Sequence, residues 1–266
     1  MGLSSNTLWH QTDFYPLQSI VKSKKINVNY SLEDLKSDSP FPFNYAFPMI
    51  SFSDIPLSEF GAHIGKYGGH SIGFKREWIV SKNFSPVSYY SNRSILLREL
   101  IERIEYLKQD YSNLNDEQKH DLKVFLFQLA HSKNYEGELI KLKYKNYRFS
   151  DEREWRFVPQ IEFFDNEIMD FIIDSDDYFN KRGLVDAKLK NMCLDFTYDD
   201  INYIIVEKVD QIEKIKKTIV QTFFSENPSI KMFPWEKQNI SFFTQTQVQN
   251  DIFGISHDVM IPTLKP

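Results

Sequence analysis

The sequence lacks several features that mark specialised classes of protein. Cys193 is the only cysteine among 266 residues, so no disulfide can form within the chain and a reducing compartment is expected. No apolar run approaches the length of a membrane span. The N-terminus has neither the basic nor the apolar segment of a secretory signal. We therefore expect a cytoplasmic protein with no membrane-bound segment.

Sequence patterns typical of metal and phosphate sites are also missing. No CxxC, HExxH or clustered carboxylate supports a zinc site, although His63 and His70 lie seven residues apart with glycines between them. The glycine-rich segment 65–69 lacks the spacing of a phosphate-binding loop and its following serine or threonine. We expect no metal cofactor, and a turn at residues 65–69.

The composition supports a folded protein with a sizeable core. Hydrophobic residues make up 41% of the chain and include 23 Phe and 14 Tyr, which excludes wholesale disorder. The net charge of −5 gives no general attraction to nucleic acid or to an anionic membrane, although it leaves local basic patches open. We predict a single domain over residues 1–266.

Short apolar segments separated by polar ones fill the first ninety residues. The patterns predict a strand at 7–10, a helix at 16–23, a polar loop at 24–44, a strand at 47–52, a strand at 70–75, helical turns at 76–82 and a strand at 87–90. Residues 55–66 fit a short helix or an ordered loop over a site.

A different pattern occupies residues 94–132. Five apolar residues share one face of a helix over 94–111, namely Leu97, Leu100, Ile101, Ile104 and Leu107. Asn115, followed by Gln118, resembles a capping box that begins a second helix. We predict a helical hairpin inserted at about 94–132. Its apolar face favours core packing over a surface for a partner helix.

The second half returns to strands. Residues 153–159 alternate, with Trp155 and Phe157 on one face and Glu154 and Arg156 on the other, which is a strand pattern. A strand at 201–207, a helix at 211–224 and a strand at 230–233 follow. The order of elements predicts an α+β fold with a mixed or antiparallel sheet core, built from strands within about 7–90 and 140–235.

Three ordered segments hold the residues best suited to chemistry. His10 lies in the first, Ser51 in the second, and Glu152 and Glu154 in the third. A histidine can bind ribose hydroxyls, and an aromatic ring can stack on nicotinamide. A glutamate can stabilise the positive charge that develops at an anomeric carbon during glycosyl transfer.

These segments resemble those of ADP-ribosyltransferases. Leu8-Trp9-His10-Gln11-Thr12 is similar to the Leu-Trp-His-Gly-Ser/Thr opening of the poly(ADP-ribose)-polymerase-like enzymes, and Met49-Ile50-Ser51-Phe52-Ser53-Asp54 to their Gly-Ile-Tyr-Phe-Ala-Asp segment. Glu152-Arg153-Glu154 resembles the Glu-x-Glu signature of the arginine-type transferases. The resemblance implies an ADP-ribosyltransferase-like fold, NAD as substrate, and transfer of ADP-ribose to a nucleic acid or protein acceptor.

The resemblance also implies roles for individual residues. Glu154 would be catalytic, with Glu152 beside it. The NAD-binding residues would be His10, Gln11, Thr12, Ser51, Phe52 and Tyr67. Gln11 replaces the family's glycine and Ser51 replaces its stacking tyrosine, so Phe52, Tyr67 or Tyr89 would have to supply the ring.

A basic strip precedes the Glu-x-Glu segment. Lys141, Lys143, Lys145 and Arg148 are interleaved with Tyr144 and Tyr147. Basic residues with stackable rings suit a strand that binds nucleic acid. Lysines also protect an exposed edge strand from pairing, which is the favoured interpretation. In a transferase, Lys143, Tyr147 and Arg148 would face the substrate.

A second resemblance covers roughly residues 8–160. It rests on the run Phe47–Ser58, on His63, Tyr67-Gly68 and Ile72–Trp78, on Pro86-Val87, and on Asp151–Arg156. These segments resemble the AbiGi-type abortive-infection proteins of bacteria, which are labelled antitoxins. The resemblance implies a role in phage defence with a toxin or antitoxin as partner protein. The alternative to a transferase is therefore a non-catalytic antitoxin or interaction protein on the same scaffold.

Overall fold

The structure of the chain, a computed structural model, describes residues 5–60, 68–139, 144–164, 171–226 and 239–253. These residues group into two compact units. The first holds the described residues of 1–25, 54–79 and 195–266, and the second those of 26–53 and 80–194. Each unit is thus assembled from segments that are distant in the sequence.

Strands and helices follow one another without regular alternation. The strands are β1 (Thr7–Thr12), β2 (Lys25–Asn27), β3 (Asn29–Leu35), β4 (Phe43–Ser53), β5 (His70–Lys75), β6 (Ser85–Pro86), β7 (Ser88–Tyr90), β8 (Ser132–Asn134), β9 (Glu136–Leu139), β10 (Tyr144–Arg148), β11 (Glu154–Phe157), β12 (Ile173–Asp174), β13 (Cys193–Asp195), β14 (Ile201–Val206) and β15 (Ser241–Thr244). The helices are α1 (Phe14–Ser23), α2 (Leu57–Phe60), α3 (Arg76–Ser81), α4 (Ile95–Gln109), α5 (Asp116–Ala130), α6 (Ser175–Lys188), α7 (Val209–Glu226) and α8 (Gln245–Phe253). The fold is therefore mixed α+β, as the order of elements predicted.

The sheet of the first unit has the strand order β15-β14-β5-β1. Strand β5 runs antiparallel to both of its neighbours, with Ile72 opposite His10 on β1 and opposite Ile204 on β14. Strands β14 and β15 are parallel. A parallel pair needs a long crossover, and α7 lies in the chain between these two strands.

Trp9 anchors β1 in the core of the first unit. It is 1% exposed, its indole Nε1 donates a hydrogen bond to the Ile55 carbonyl at 2.8 Å, and its ring stacks on Phe60 at 4.3 Å between centroids. Ile205 and Val248 belong to the same buried cluster. The segment Leu8–Thr12 is therefore a core strand because its large apolar side chains are buried.

The second unit is organised around the long strand β4. One part of β4 pairs antiparallel with β3, from Met49 opposite Asn29 to Phe43 opposite Leu35. The remaining part pairs antiparallel with β11, where Phe52 lies opposite Trp155. Strands β6 and β12 extend this arrangement on β11 and β4. Strands β7 and β8 form a parallel pair and β9 and β10 an antiparallel pair.

The predicted helical hairpin is present as α4 and α5. The five apolar residues of α4 that the periodicity identified are all buried. Ser94 caps α4 by accepting a hydrogen bond from the Leu97 amide. Asn115 and Gln118 form the predicted capping box of α5, at 2.9 and 3.0 Å. The helices pack against each other, so the apolar face serves the core, as favoured.

The prediction of a polar loop at 24–44 was wrong. The structure places β2 and β3 there, and the buried residues of β3 are Tyr30, Glu33 and Leu35. The strand pattern is hidden in the sequence because Glu33 occupies a buried position, whereas Leu32 is 39% exposed. A count of apolar residues therefore misses this strand.

Other predicted elements agree with the structure. The strands predicted at 70–75 and 201–207 and the helix predicted at 211–224 correspond to β5, β14 and α7. The strand predicted at 230–233 lies outside the described residues. The single domain over 1–266 stays a prediction, since the described residues group into two units.

Candidate functional site

The guanidinium of Arg156 lies at the centre of a buried charge cluster in the second unit. Its side chain is fully buried. Nε and Nη2 donate to the two carboxylate oxygens of Glu154 at 2.7 and 3.0 Å, and Nη2 also donates to Glu33 Oε1 at 2.5 Å. Nη1 donates to the carbonyls of Ala130 at 2.7 Å and Ser132 at 3.4 Å. Such forked, charge-assisted contacts are among the strongest hydrogen bonds in proteins.

Arg156 also caps the C-terminus of α5 by donating a hydrogen bond to its last carbonyl. Ala130 is the last residue of this helix, and its carbonyl has no partner within the helix. A cation at this end also interacts favourably with the helix dipole. The cluster thus joins β3, β11 and the end of α5 through one side chain.

Lys133, on β8, is the second cation of the cluster. Its Nζ lies 2.9 Å from Glu154 Oε2 and 3.5 Å from Glu152 Oε2. The ammonium also lies 5.1 Å from the centre of the Phe149 ring, a cation–π distance. Lys133 therefore bridges the two glutamates of the Glu-x-Glu segment.

Glu152 and Glu154 belong to different secondary-structure elements. Glu152 ends a 3₁₀ turn over Phe149–Glu152, and Arg153 follows in the left-handed region with φ 46°. Glu154 then begins β11. Glu152 accepts a hydrogen bond from the hydroxyl of Tyr147, whereas the backbone amide of Glu154 donates to the Tyr89 hydroxyl at 2.8 Å.

The cluster sets the ionisation of its members. Burial alone raises the pKa of the Glu154 carboxyl, but the charges of Arg156 and Lys133 hold it well below its ordinary value. Burial alone lowers the pKa of Lys133, but the carboxylates, Glu154 first, raise it above its ordinary value. The pKa of Glu33 is raised, because its burial outweighs the attraction of Arg156.

This arrangement limits the chemistry available to Glu154. Its Oε1 accepts from Arg156, and its Oε2 accepts from both Arg156 and Lys133. The residue is 6% exposed. A group that stabilises a developing charge must direct its own charge at the reacting atom. The charge of Glu154 is directed instead at two internal cations, so the geometry suits a structural role. The catalytic assignment of Glu152 and Glu154 stays a prediction.

The histidine segment lies in the first unit. His10 is half-buried on β1, opposite Ile72. The side-chain oxygen of Gln11 is buried and has no hydrogen-bond partner among the described residues. Thr12 ends β1, and Gly68 approaches it so closely that a Cβ on Gly68 would lie 2.4 Å from the Thr12 carbonyl oxygen.

The second segment lies mostly in the core. Phe52 is 1% exposed and packs edge-to-face on Phe84 at 5.1 Å, so it offers no open ring for stacking. Ser51 is half-buried opposite Arg156 on β11, and its hydroxyl lies 3.6 Å from the sulfur of Met49.

The proposed substrate strip is only partly described. Lys143 lies outside the described residues, as does Tyr67 of the predicted NAD-binding residues. Tyr147 is half-buried and its hydroxyl is hydrogen-bonded to Glu152, so its side chain faces the charge cluster. Arg148 is exposed, with a nitrogen 3.9 Å from a carboxylate oxygen of Asp151.

Asp54, at the end of the second segment, forms a separate polar contact in the first unit. It is 4% exposed, accepts from Arg76 Nη2 at 2.6 Å and accepts from the Ser5 amide at 2.9 Å. Arg76 Nε in turn donates to the Ser5 carbonyl at 2.8 Å. Two charged side chains thus fix the chain before β1.

Sequence reasoning missed the roles of Glu33, Lys133 and Arg156. Arg156 was part of the alternating segment, but alternation does not tell which face is buried. No local sequence pattern marked Glu33 or Lys133, because the residues that they contact lie far from them in the chain.

Two further observations concern ligands and membranes. In the described ranges, no group of three or more His, Cys, Asp or Glu side chains could hold a metal ion. None of the helices in the part of the chain that the structure describes is long and apolar enough to cross a bilayer.

Comparisons with known proteins find relatives of this chain. A family model described as "Putative abortive phage resistance protein AbiGi, antitoxin" matches residues 42–207. A protein from Lactococcus lactis subsp. cremoris, named "Abortive phage resistance protein AbiGi", is 30% identical over 208 residues, covering 71% of this chain and 82% of that protein. No solved structure matches the chain. The matched range contains Lys133, Glu152, Glu154 and Arg156, whereas Glu33 precedes it.

Proposed function

The chain belongs to the AbiGi family of abortive phage resistance proteins, and from that premise we propose that it is an antitoxin that binds a toxin protein and restrains it. The description of the family model includes the word antitoxin. An antitoxin of this kind requires a stable scaffold and a surface for its partner, and it requires no reaction site.

The observation that carries the proposal is that the Glu154 carboxylate is already paired with two cations of the protein. The sequence singles out this residue as the strongest candidate for catalysis. Its carboxylate is nearly fully buried and compensated by Arg156 and Lys133. Exposing it to a substrate would leave the buried Arg156 and the half-buried Lys133 without their main partner, which is costly. The Glu-x-Glu segment therefore supports a stabilising role better than a catalytic one.

Transfer of ADP-ribose from NAD to a macromolecule is the alternative, and it rests on the resemblance of three short segments. It would need His10 to hold the ribose and Glu154 to turn from its two cations toward the substrate. It predicts measurable NAD binding and release of nicotinamide, neither of which an antitoxin requires.

Expression in a bacterial host separates the two functions. We expect the chain alone to leave growth unaffected, to relieve the growth arrest caused by the protein of the neighbouring gene, and to co-purify with that protein. Growth arrest by the chain alone that disappears in the His10→Ala variant of unchanged stability would contradict the antitoxin proposal. Calorimetric titration with NAD and a nicotinamide-release assay would then establish the transferase.

A further inference from the structure

The ribbon formed by β9 and β10 has a strand edge available for pairing. Among the residues that the structure describes, these two strands pair only with each other, with Gly137 opposite Tyr147 and Glu136 opposite Arg148. The outer edge of such a ribbon presents backbone N–H and C=O groups that another strand can bind. The geometry of β10 is therefore compatible with a third strand.

The ribbon is anchored at its base to the buried charge cluster. The Tyr147 hydroxyl donates to Glu152, and Lys133 contacts the ring of Phe149. Gly137 leaves room for that ring, since a Cβ there would lie 3.1 Å from Phe149 Cε2. An element held in place before binding loses little conformational entropy when a partner docks. The charge cluster thus preorganises the edge of β10.

The exposed side chains of β10 define the charge of a suitable partner. Lys145, Asn146 and Arg148 are exposed. Within the part of the chain that the structure describes, Lys145 has no ion pair or hydrogen bond, and the only ion pair of Arg148 is the exposed 3.9 Å contact to Asp151. Like charges directly opposite each other destabilise a strand pair. A second copy of β10 is therefore disfavoured, and an acidic strand is favoured.

We propose that the outer edge of β10 is the toxin-docking edge, which accepts an extended acidic segment of the toxin as a third strand. This inference rests on the proposed antitoxin function and names the surface that performs it. Backbone hydrogen bonds along β10 supply affinity, and the charges of Lys145 and Arg148 select acidic side chains.

A protein strand fits this edge better than nucleic acid does. Nucleic acid would leave the row of backbone groups on β10 without strand partners, whereas an extended protein segment pairs with them.

The test uses the full chain and the toxin of the neighbouring gene, after relief of growth arrest and binding have been shown for the unvaried protein. Lys145→Glu should weaken the Kd for that toxin by about tenfold or more, because it places a negative charge against acidic side chains. Lys190→Glu is the matched control, an exposed lysine of the same unit, and should change the Kd by less than about twofold. Amide hydrogen exchange over residues 144–148 should slow in the complex.

The outcomes separate the two proposals. Lack of toxin binding by the unvaried protein would overturn the antitoxin function and the docking edge with it. Toxin binding that Lys145→Glu leaves unchanged, with no protection of residues 144–148, would overturn the docking edge alone. Binding of a 20-nucleotide single-stranded DNA that Lys145→Glu abolishes would overturn it in favour of nucleic acid. Thermal unfolding of each variant checks that it is folded.

Discussion

Arg156 and Glu33 are separated by 123 residues in the chain, yet the guanidinium Nη2 donates to the carboxylate Oε1 at 2.5 Å. The contact joins β11 to β3, two strands that pair with different parts of β4. Glu33 is 9% exposed and Arg156 is fully buried. A charged bridge therefore occupies a position in the second unit where apolar packing would otherwise be expected.

Replacing Arg156 should destabilise the protein strongly. Arg156→Met leaves Glu33 and Glu154 buried without their main counter-charge, so the free energy of unfolding should fall by about 3–5 kcal/mol. Urea unfolding followed by circular dichroism measures this loss. Arg182→Met is the control, because Arg182 is exposed and its pair with Asp186 is worth less than about 1 kcal/mol. Equal stability of the two variants would show that the cluster does not hold the unit together.

The two glutamates that contact Arg156 should respond to pH in opposite directions. The folded pKa of Glu154 lies below its ordinary value of 4.5. Its stabilising contribution is therefore complete above 4.5 and is lost as the pH falls through the folded pKa. The folded pKa of Glu33 lies above 4.5, so its contribution is complete below 4.5 and is lost as the pH rises through the folded pKa.

Variants of the two glutamates test this difference. The stability of Glu154→Gln relative to the unvaried protein should fall as the pH rises from about 3.5 to 7, whereas that of Glu33→Gln should rise over the same range. Urea unfolding at a series of pH values gives both slopes. Slopes of the same sign would rule out opposite pKa shifts within the cluster.

Regular periodicity made much of the fold predictable. The buried face of α4 and the capping box at Asn115 are local signals, and the structure contains both. Strand β3 escaped prediction because Glu33 takes an inward position and Leu32 an outward one. Glu33 can be buried because Arg156 lies beside it. The two residues are 123 positions apart, so no local sequence pattern shows that they pair.

The strand that carries Glu154 and Arg156 was predictable from the sequence, whereas the burial of these two side chains was not. Alternation around Glu154 indicated a strand, which the structure contains as β11. It could not show that Glu154 and Arg156 face the interior while Trp155 and Phe157 remain partly exposed. An alternating strand gives the same pattern for either orientation, and here the buried charges compensate one another.

The capping box should make a measurable contribution to α5. Asn115→Ala removes the side-chain acceptor of the Gln118 amide, so the free energy of unfolding should fall by about 1 kcal/mol. Asn92→Ala, at an exposed position before α4, is the control and should change it by less than about 0.5 kcal/mol. Chemical denaturation compares the two. Equal effects would mean that the cap adds nothing to the stability of the unit.

Two glycines should respond to alanine in opposite ways. Gly68 has φ +143°, and a Cβ there would lie 2.4 Å from the Thr12 carbonyl oxygen, so Gly68→Ala combines backbone strain with a clash. It should lower the free energy of unfolding by more than about 1 kcal/mol. Gly183 lies within α6, and a Cβ added there would meet no atom within 4 Å, so Gly183→Ala should raise stability by about 0.5–1 kcal/mol through its better helix propensity. Thermal unfolding of the two variants side by side measures both effects. A neutral Gly68→Ala would contradict the close approach of Gly68 to Thr12 at the end of β1.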